Sequence, residues 1–289
     1  MPPTEQKLTL VKYLVSAGLG SRRVCAKLII NCFVTVNEVI AESLMMPVGQ
    51  DDRIQVEGRS IVARRTGHVY VMLNKPDGYL SSTTDDRGRR TVMDLVPRAL
   101  RLSGLVPVGR LDLHSTGLLL LTDDGELVNR ITHPRYEGDK EDHIKLDGVL
   151  NPTSSARLRS GVTIESGPAK AKAVRRLTEE PGFRYAITLN EGKKREVRLM
   201  LRAVGRQVIE LQRVRVGSLS LGELANGEVR ELTDSELEEI RREVGLAPKA
   251  VRRPRRTPGN QAIRRPSSND HRRGGRSVGS NRGARRSRA

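Results

Sequence analysis

The first sixty residues alternate hydrophobic and polar positions with a helical period first and a strand period afterwards. In KLTLVKYLVSAG, Leu10, Leu14 and Ala17 recur on one helical face, and Gly18 follows as a stop signal. GSRRVCAKLII restarts the period, with Ser21 at the N-cap position and Val24, Leu28 and Ile29 facing inward. FVTVN then alternates as a strand does, and DDRIQVEG adds a second short strand ahead of a glycine. The pattern predicts a small helix-helix-strand unit over residues 7–62, at the lower size limit for independent folding. A linker near residues 60–67 leads out of it.

A longer unit is predicted over residues 67–245. HVYVMLNKPDGYLSSTTDD begins with a strand at 69–73 that runs into a Pro-Asp-Gly turn. Further strands are predicted at 117–122, 143–149, 170–177, 184–189 and 208–216, and helices at 125–132, 153–159, 194–204 and 234–244. Several strands follow one another with no helix between them. This predicts an α+β fold with a mixed or antiparallel sheet, not a doubly wound one. Residues 246–289 are dominated by Arg, Gly, Pro, Ser and Asn. Such a composition buries too little apolar surface to offset ordering entropy, so a disordered tail is expected.

Charge sharpens this picture. The 289 residues carry a formal net charge of +18. From Leu246 onward thirteen arginines and Lys249 stand against Asp270, a net of +13. The tail, with Arg252, Arg253, Arg255 and Arg256 at its start, reads as an arm that neutralises phosphates, or more blandly as a solubility spacer. Aromatic residues make up 2% and Trp is absent, which disfavours rows of base-stacking rings. Cys25 and Cys32, seven apart in a helix-patterned stretch, are expected to be buried, reduced thiols. No signal peptide and no apolar stretch near 20 residues is visible, so a soluble, cytoplasmic protein with no membrane partner is expected.

Three stretches carry candidate chemistry. Ser21, Arg22 and Arg23 open a helix whose N–H groups and dipole favour phosphate, although a solvated helix start is the bland reading. In GRLD, Gly109 permits a tight turn and Asp112 precedes the apolar run Leu118–Leu121, which reads as a buried strand. A carboxylate there can act as nucleophile or base if a cation keeps it ionised, or it can simply cap a turn. EGKKREVRLMLRAVG places Val197, Leu201 and Val204 on a core face and Arg195, Arg198 and Arg202 on another.

Taken together, PVGRLDLHSTGLLLLTDDGEL, THPRYEGDKEDHI, NEGKKREVRLMLRAVG, VIELQRVRVGSLSLGEL and NKPDGYLSSTTDDRGRRTVMDLVP resemble the rRNA pseudouridine synthases of the RsuA/RluB type. AGLGSRRVCAKLI with FVTVN resembles the S-four type RNA-binding module of those enzymes. The resemblance spans residues 8–233. It implies an RNA-binding module, a pseudouridine synthase domain and a basic tail. It implies that Asp112 is the essential catalytic residue and that Arg198 pairs with it. Gly109, Arg110, Leu111, Lys140, Asp142 and Arg195 would bind the substrate nucleotide. Ser21, Arg22, Arg23, Lys27, Arg202 and the tail arginines would bind RNA. The reaction implied is isomerisation of a uridine in ribosomal RNA, with the large subunit favoured by the tail. It needs neither cofactor nor metal, and the five histidines do not cluster at metal-ligand spacing. Ribosomal RNA or a pre-ribosomal particle is the implied partner and a monomer the implied state. Attack on the sugar and removal of a proton from it both remain open as roles for Asp112.

Two departures from the family pattern bear on activity. Lys140-Glu141-Asp142 stands where the pattern reads Lys-x-Tyr and the tyrosine lines the uracil pocket. Two carboxylates, Asp112 and Asp142, would then share one site, raising at least one pKa unless Arg198 compensates. Lost stacking costs roughly 1–3 kcal/mol per base. A weaker enzyme is expected, with a catalytically impaired, rRNA-binding assembly factor as the alternative. In the N-terminal module, Cys32, Phe33 and Asn37-Glu38 replace Gly-Arg and Asn-Gly, so Phe33 is expected on the surface and RNA affinity there is expected to fall.

Overall fold

A computed structural model of the chain describes residues 7–49, 51–62, 68–101, 104–133, 136, 138–177 and 184–247. The elements at its start are β1 (Leu8–Thr9), α1 (Leu10–Ser16), α2 (Arg22–Ile30), β2 (Val34–Val36), β3 (Val39–Ile40), β4 (Pro47–Val48), β5 (Ile54–Val56) and β6 (Arg59–Ile61). Strands β3-β2-β5-β6 form an antiparallel sheet, and β1 pairs with β4. Leu10 and Leu14 of α1, Cys25 and Ile29 of α2, and Val34 and Ile54 of the sheet share one apolar core. The Ser21 side chain accepts the Val24 N–H and caps α2, as its position predicts.

Two expectations in this region are corrected. Val24 is 46% exposed, because the inward stripe of α2 runs through Cys25 and Ile29, one position on. Cys25 is buried but Cys32 is exposed, since it lies past the end of α2 in a left-handed turn with φ 60°. Phe33 is exposed, as the sequence suggested.

The next elements are β7 (Tyr70–Lys75), β8 (Val106–Pro107), β9 (Thr116–Thr122), α3 (Gly125–Thr132), β10 (Lys140–Leu146), α4 (Pro152–Ser160), β11 (Val162–Ile164), β12 (Gly167–Ala169), β13 (Ala173–Arg176) and β14 (Tyr185–Leu189). They are followed by α5 (Glu196–Ala203), β15 (Val208–Val216), β16 (Leu219–Ser220), β17 (Val229–Glu231) and α6 (Asp234–Glu243). A nine-stranded mixed sheet runs β13-β14-β10-β15-β9-β7-β17, with β8 added on β9 and β16 on β15. Among the described residues only the β9–β15 ladder of this sheet is parallel.

Strand β9 explains the unbroken leucine run. Leu118 and Leu120 join Tyr70 and Met72 in a core with α3 and α6, while Leu119 and Leu121 join Val71 and Leu73 in a core on the opposite face. A strand covered on both sides has no polar face to alternate with. A third core, against α4 and α5, takes Ile144, Leu146, Tyr185, Ile187, Met200 and Leu201.

Two of the expected strands depart from their bounds by as much as three residues. Strand β10 begins at Lys140, three residues early, because β14 and β15 pair with it from that residue on. The stretch 170–177 is broken: Ala171 donates its N–H to Leu158 of α4, and pairing resumes only at Ala173. Among the described residues no helix is long and apolar enough to cross a membrane. The tail positions Arg252, Arg253, Arg255 and Arg256 lie outside the described residues.

Candidate active site

Strand β9 is entered through a loop that carries Asp112, and β7 leaves through a turn that holds this loop. Gly109 turns the chain with φ 79°, a conformation costly for any side chain. Leu111, 5% exposed, anchors the loop in the core, its N–H donating to Ser81 Oγ at 3.0 Å and its carbonyl accepting from the same hydroxyl at 2.9 Å. Gly78 N–H donates to Leu113 O at 3.0 Å. Beneath lies Lys75, wholly buried, whose Nζ donates to the carbonyls of Ser115 at 2.8 Å, Pro76 at 3.0 Å and Leu113 at 3.2 Å. Burial pushes the Lys75 ammonium down to about 8, with Asp77 and Asp112 pulling against it. Asp112 is thus half-buried on a loop whose backbone is pinned on both sides of it.

Arg198 projects from α5 toward the same loop. Its guanidinium donates to His114 O at 2.8 Å and Val208 O at 3.0 Å. No Asp112–Arg198 ion pair closer than 4.0 Å forms, so the direct pairing implied by the resemblance takes another form here: Arg198 braces the backbone two residues after Asp112 and acts on the carboxylate through space. Burial lowers the Arg198 pKa, and the charge of Asp112 opposes that shift.

The opposite wall is made by β10 and β15. Asp142, 1% exposed, accepts two hydrogen bonds from Arg213, from Nε at 2.9 Å and Nη2 at 3.1 Å. Its charge is matched by Arg213, not by Arg198. Lys140 donates to Gly138 O, and burial, helped by Arg213, lowers its pKa. Glu196, at the start of α5, is 4% exposed, and burial together with a hydrogen bond to Glu191 raises its carboxyl to about 7.

Asp112, Arg198 and the charged groups of the opposite wall line one cavity of ≈ 210 Å³, with Lys75 and Ser81 behind it. It is smaller than the roughly 300–1,000 Å³ of sites for drug-sized ligands, a size suited to a single base. Gly109, Arg110, Leu111, Asp112, Lys140, Asp142, Arg195 and Arg198 all line it. Arg202 does not; it is exposed on the last turn of α5. Ser21, Arg22, Arg23 and Lys27 are exposed at α2, within the separately cored N-terminal region. Sequence reasoning passed over Lys75, Ser81, Glu196 and Arg213. The NKPDG turn was a usable signal for Lys75; a single arginine inside a strand pattern was none for Arg213. Among the described residues no group of three or more His, Cys, Asp or Glu is placed to hold a metal ion.

The model of the family described as RNA pseudouridylate synthase matches residues 69–203. The Ribosomal large subunit pseudouridine synthase B of Bacillus subtilis is 37% identical over 238 residues, 80% of this chain and 95% of that protein. The protein of the same name from Pseudomonas aeruginosa is 39% identical over 255 residues, 86% of this chain but 65% of that longer protein. A solved structure titled as a pseudouridylate synthase superposes with a TM-score of 0.58 at 31% identity, covering 81% of this chain and 99% of its own.

Proposed function

Because the chain belongs to the RNA pseudouridylate synthase family, we propose that it isomerises a uridine of large-subunit ribosomal RNA to pseudouridine, with Asp112 as the essential carboxylate. The observation that carries this reading is Asp112 at a base-sized cavity, on a loop pinned by Lys75, Ser81 and Arg198. In the reaction the bond between ribose C1′ and uracil N1 breaks. A bond from C1′ to C5 forms, the C5 hydrogen leaves as a proton, and N1 ends protonated. Nothing is oxidised or reduced, so the reading includes no cofactor and no metal.

Asp112 acts on the sugar, as nucleophile at the anomeric carbon or as base beside it. Rigid placement of one reacting group is what a pinned loop supplies. The uridine must leave its stack to reach the cavity, and we assign Arg110, Arg195 and Lys140, which line it, to holding the backbone and base of the extruded nucleotide. Ser21, Arg22, Arg23, Lys27, Arg202 and the basic tail serve RNA docking. The enzyme works as a cytoplasmic monomer on ribosomal RNA or a pre-ribosomal particle. The alternative, an impaired rRNA-binding factor, was suggested by Asp142 and by the altered N-terminal module; no observation favours it over this reading, and Asp142 is ion-paired with Arg213.

The test uses a large-subunit rRNA transcript tritiated at uridine C5, from which each isomerisation frees the label. Asp112→Asn should abolish release, by about 10⁴-fold or more, while filter binding of the transcript persists. Release by the variant at the parental rate would overturn the assignment.

A further inference from the structure

We infer that Arg213, held flat by Asp142, is the surface against which the extruded base rests, and that the pair is a base-binding element of the active site. This rests on the reading of the cavity as a uridine site. The geometry begins with a β-bulge. Between β10 and β15, Glu141 lies opposite Arg215 but Asp142 lies opposite Arg213, so Val214 is the extra residue. In a regular strand Arg213 and Arg215 would point to the same face. Here Arg215 reaches Glu141 on one face, while Arg213 turns to Asp142 and into the cavity on the other.

The pair is built, not incidental. The Asp142 side chain is 2% exposed and that of Arg213 15%, and the two are joined by two parallel hydrogen bonds. Those bonds use Nε and Nη2 and lock the guanidinium plane, leaving its face and Nη1 unengaged by Asp142. The backbone at Arg213 is fixed as well, lying against Gly117 of the strand that follows Asp112. A flipped base is held by stacking, and among the described residues lining the cavity the only ring is that of His133. A guanidinium plane can stack on a base as an aromatic ring does.

The experiment uses the full chain and the tritiated transcript, with Arg213→Lys, Arg213→Ala and Asp142→Asn. Arg213→Lys keeps the charge and loses the plane. It should lower release roughly ten- to a hundredfold with transcript binding changed less than about threefold. Arg213→Ala should recover with added methylguanidinium and not with methylammonium. Asp142→Asn, which frees the plane, should fall between the parent and Arg213→Lys. Full activity of Arg213→Lys, or equal rescue by the two cations, overturns the inference. Should Arg213→Ala fail to fold, Arg213→Lys decides alone. A parent chain that releases no label at all overturns instead the reading of the cavity as a uridine site.

Discussion

Lys75 is the residue at which burial, loop geometry and chemistry meet. An ammonium with no exposed surface is tolerated because three carbonyls surround it, two of them from the loop that follows Asp112. Its value of about 8 lies below the ordinary 10.5. Between these values the unfolded chain binds the proton more than the folded one does, so this group's contribution to stability rises with pH across that window. Activity should move the other way. Above about pH 8 the neutral amine has only two protons for three carbonyls and no charge to set beside Asp112. Turnover should therefore decline through pH 8 while the melting temperature does not. In Lys75→Met the alkaline decline should disappear from an already reduced rate. An unchanged alkaline limb in that variant would remove Lys75 from the account.

At the scale of elements, the parallel β9–β15 pairing decides where the two walls of the cavity stand. It requires Gly117: a Cβ there would lie 2.1 Å from Arg213 O, and φ is 102°. Gly117→Ala should cost about 2 kcal/mol or more and lower the melting temperature by roughly 2–4 °C per kcal/mol. Melting at the parental temperature would show that the strands can separate at no cost. Legibility at this scale followed burial. The run Leu118–Leu121 was readable as an unbroken apolar stretch, and the helices α3 and α6 because apolar periodicity marks a face turned to a core. Lys140, Glu141 and Asp142 were not read as strand, because three successive charged residues show no apolar period; the two carboxylates are satisfied across the sheet by Arg215 and Arg213. No local pattern records a partner seventy residues away.

Across the whole molecule, α6 is tied back to the start of the sheet by a buried ion pair. Arg241 Nη1 lies 2.9 Å from Asp124 Oδ2, which also accepts the Tyr70 hydroxyl, while the other oxygen, Oδ1, caps α3. Burial and the charge of Asp124 push the Tyr70 phenol far up, so it remains a donor at any working pH. Breaking a buried pair by removing one partner costs about 3–5 kcal/mol, because the other charge is left stranded. Arg241→Met should accordingly lower the thermal midpoint by more than Gly117→Ala does. A loss under 1 kcal/mol in chemical denaturation would mean that solvent reaches Asp124.

The main helices and longer strands, the capped start of α2 and the stretch carrying Asp112 were determined by local sequence, since each depends on neighbours within a turn or a strand. The bracing of the loop by Arg198, the burial of Lys75 and the pairing of Asp142 with Arg213 were decided only by tertiary structure. In each the charge is compensated by a group brought close by folding, and compensation across such distances leaves no trace in the order of residues.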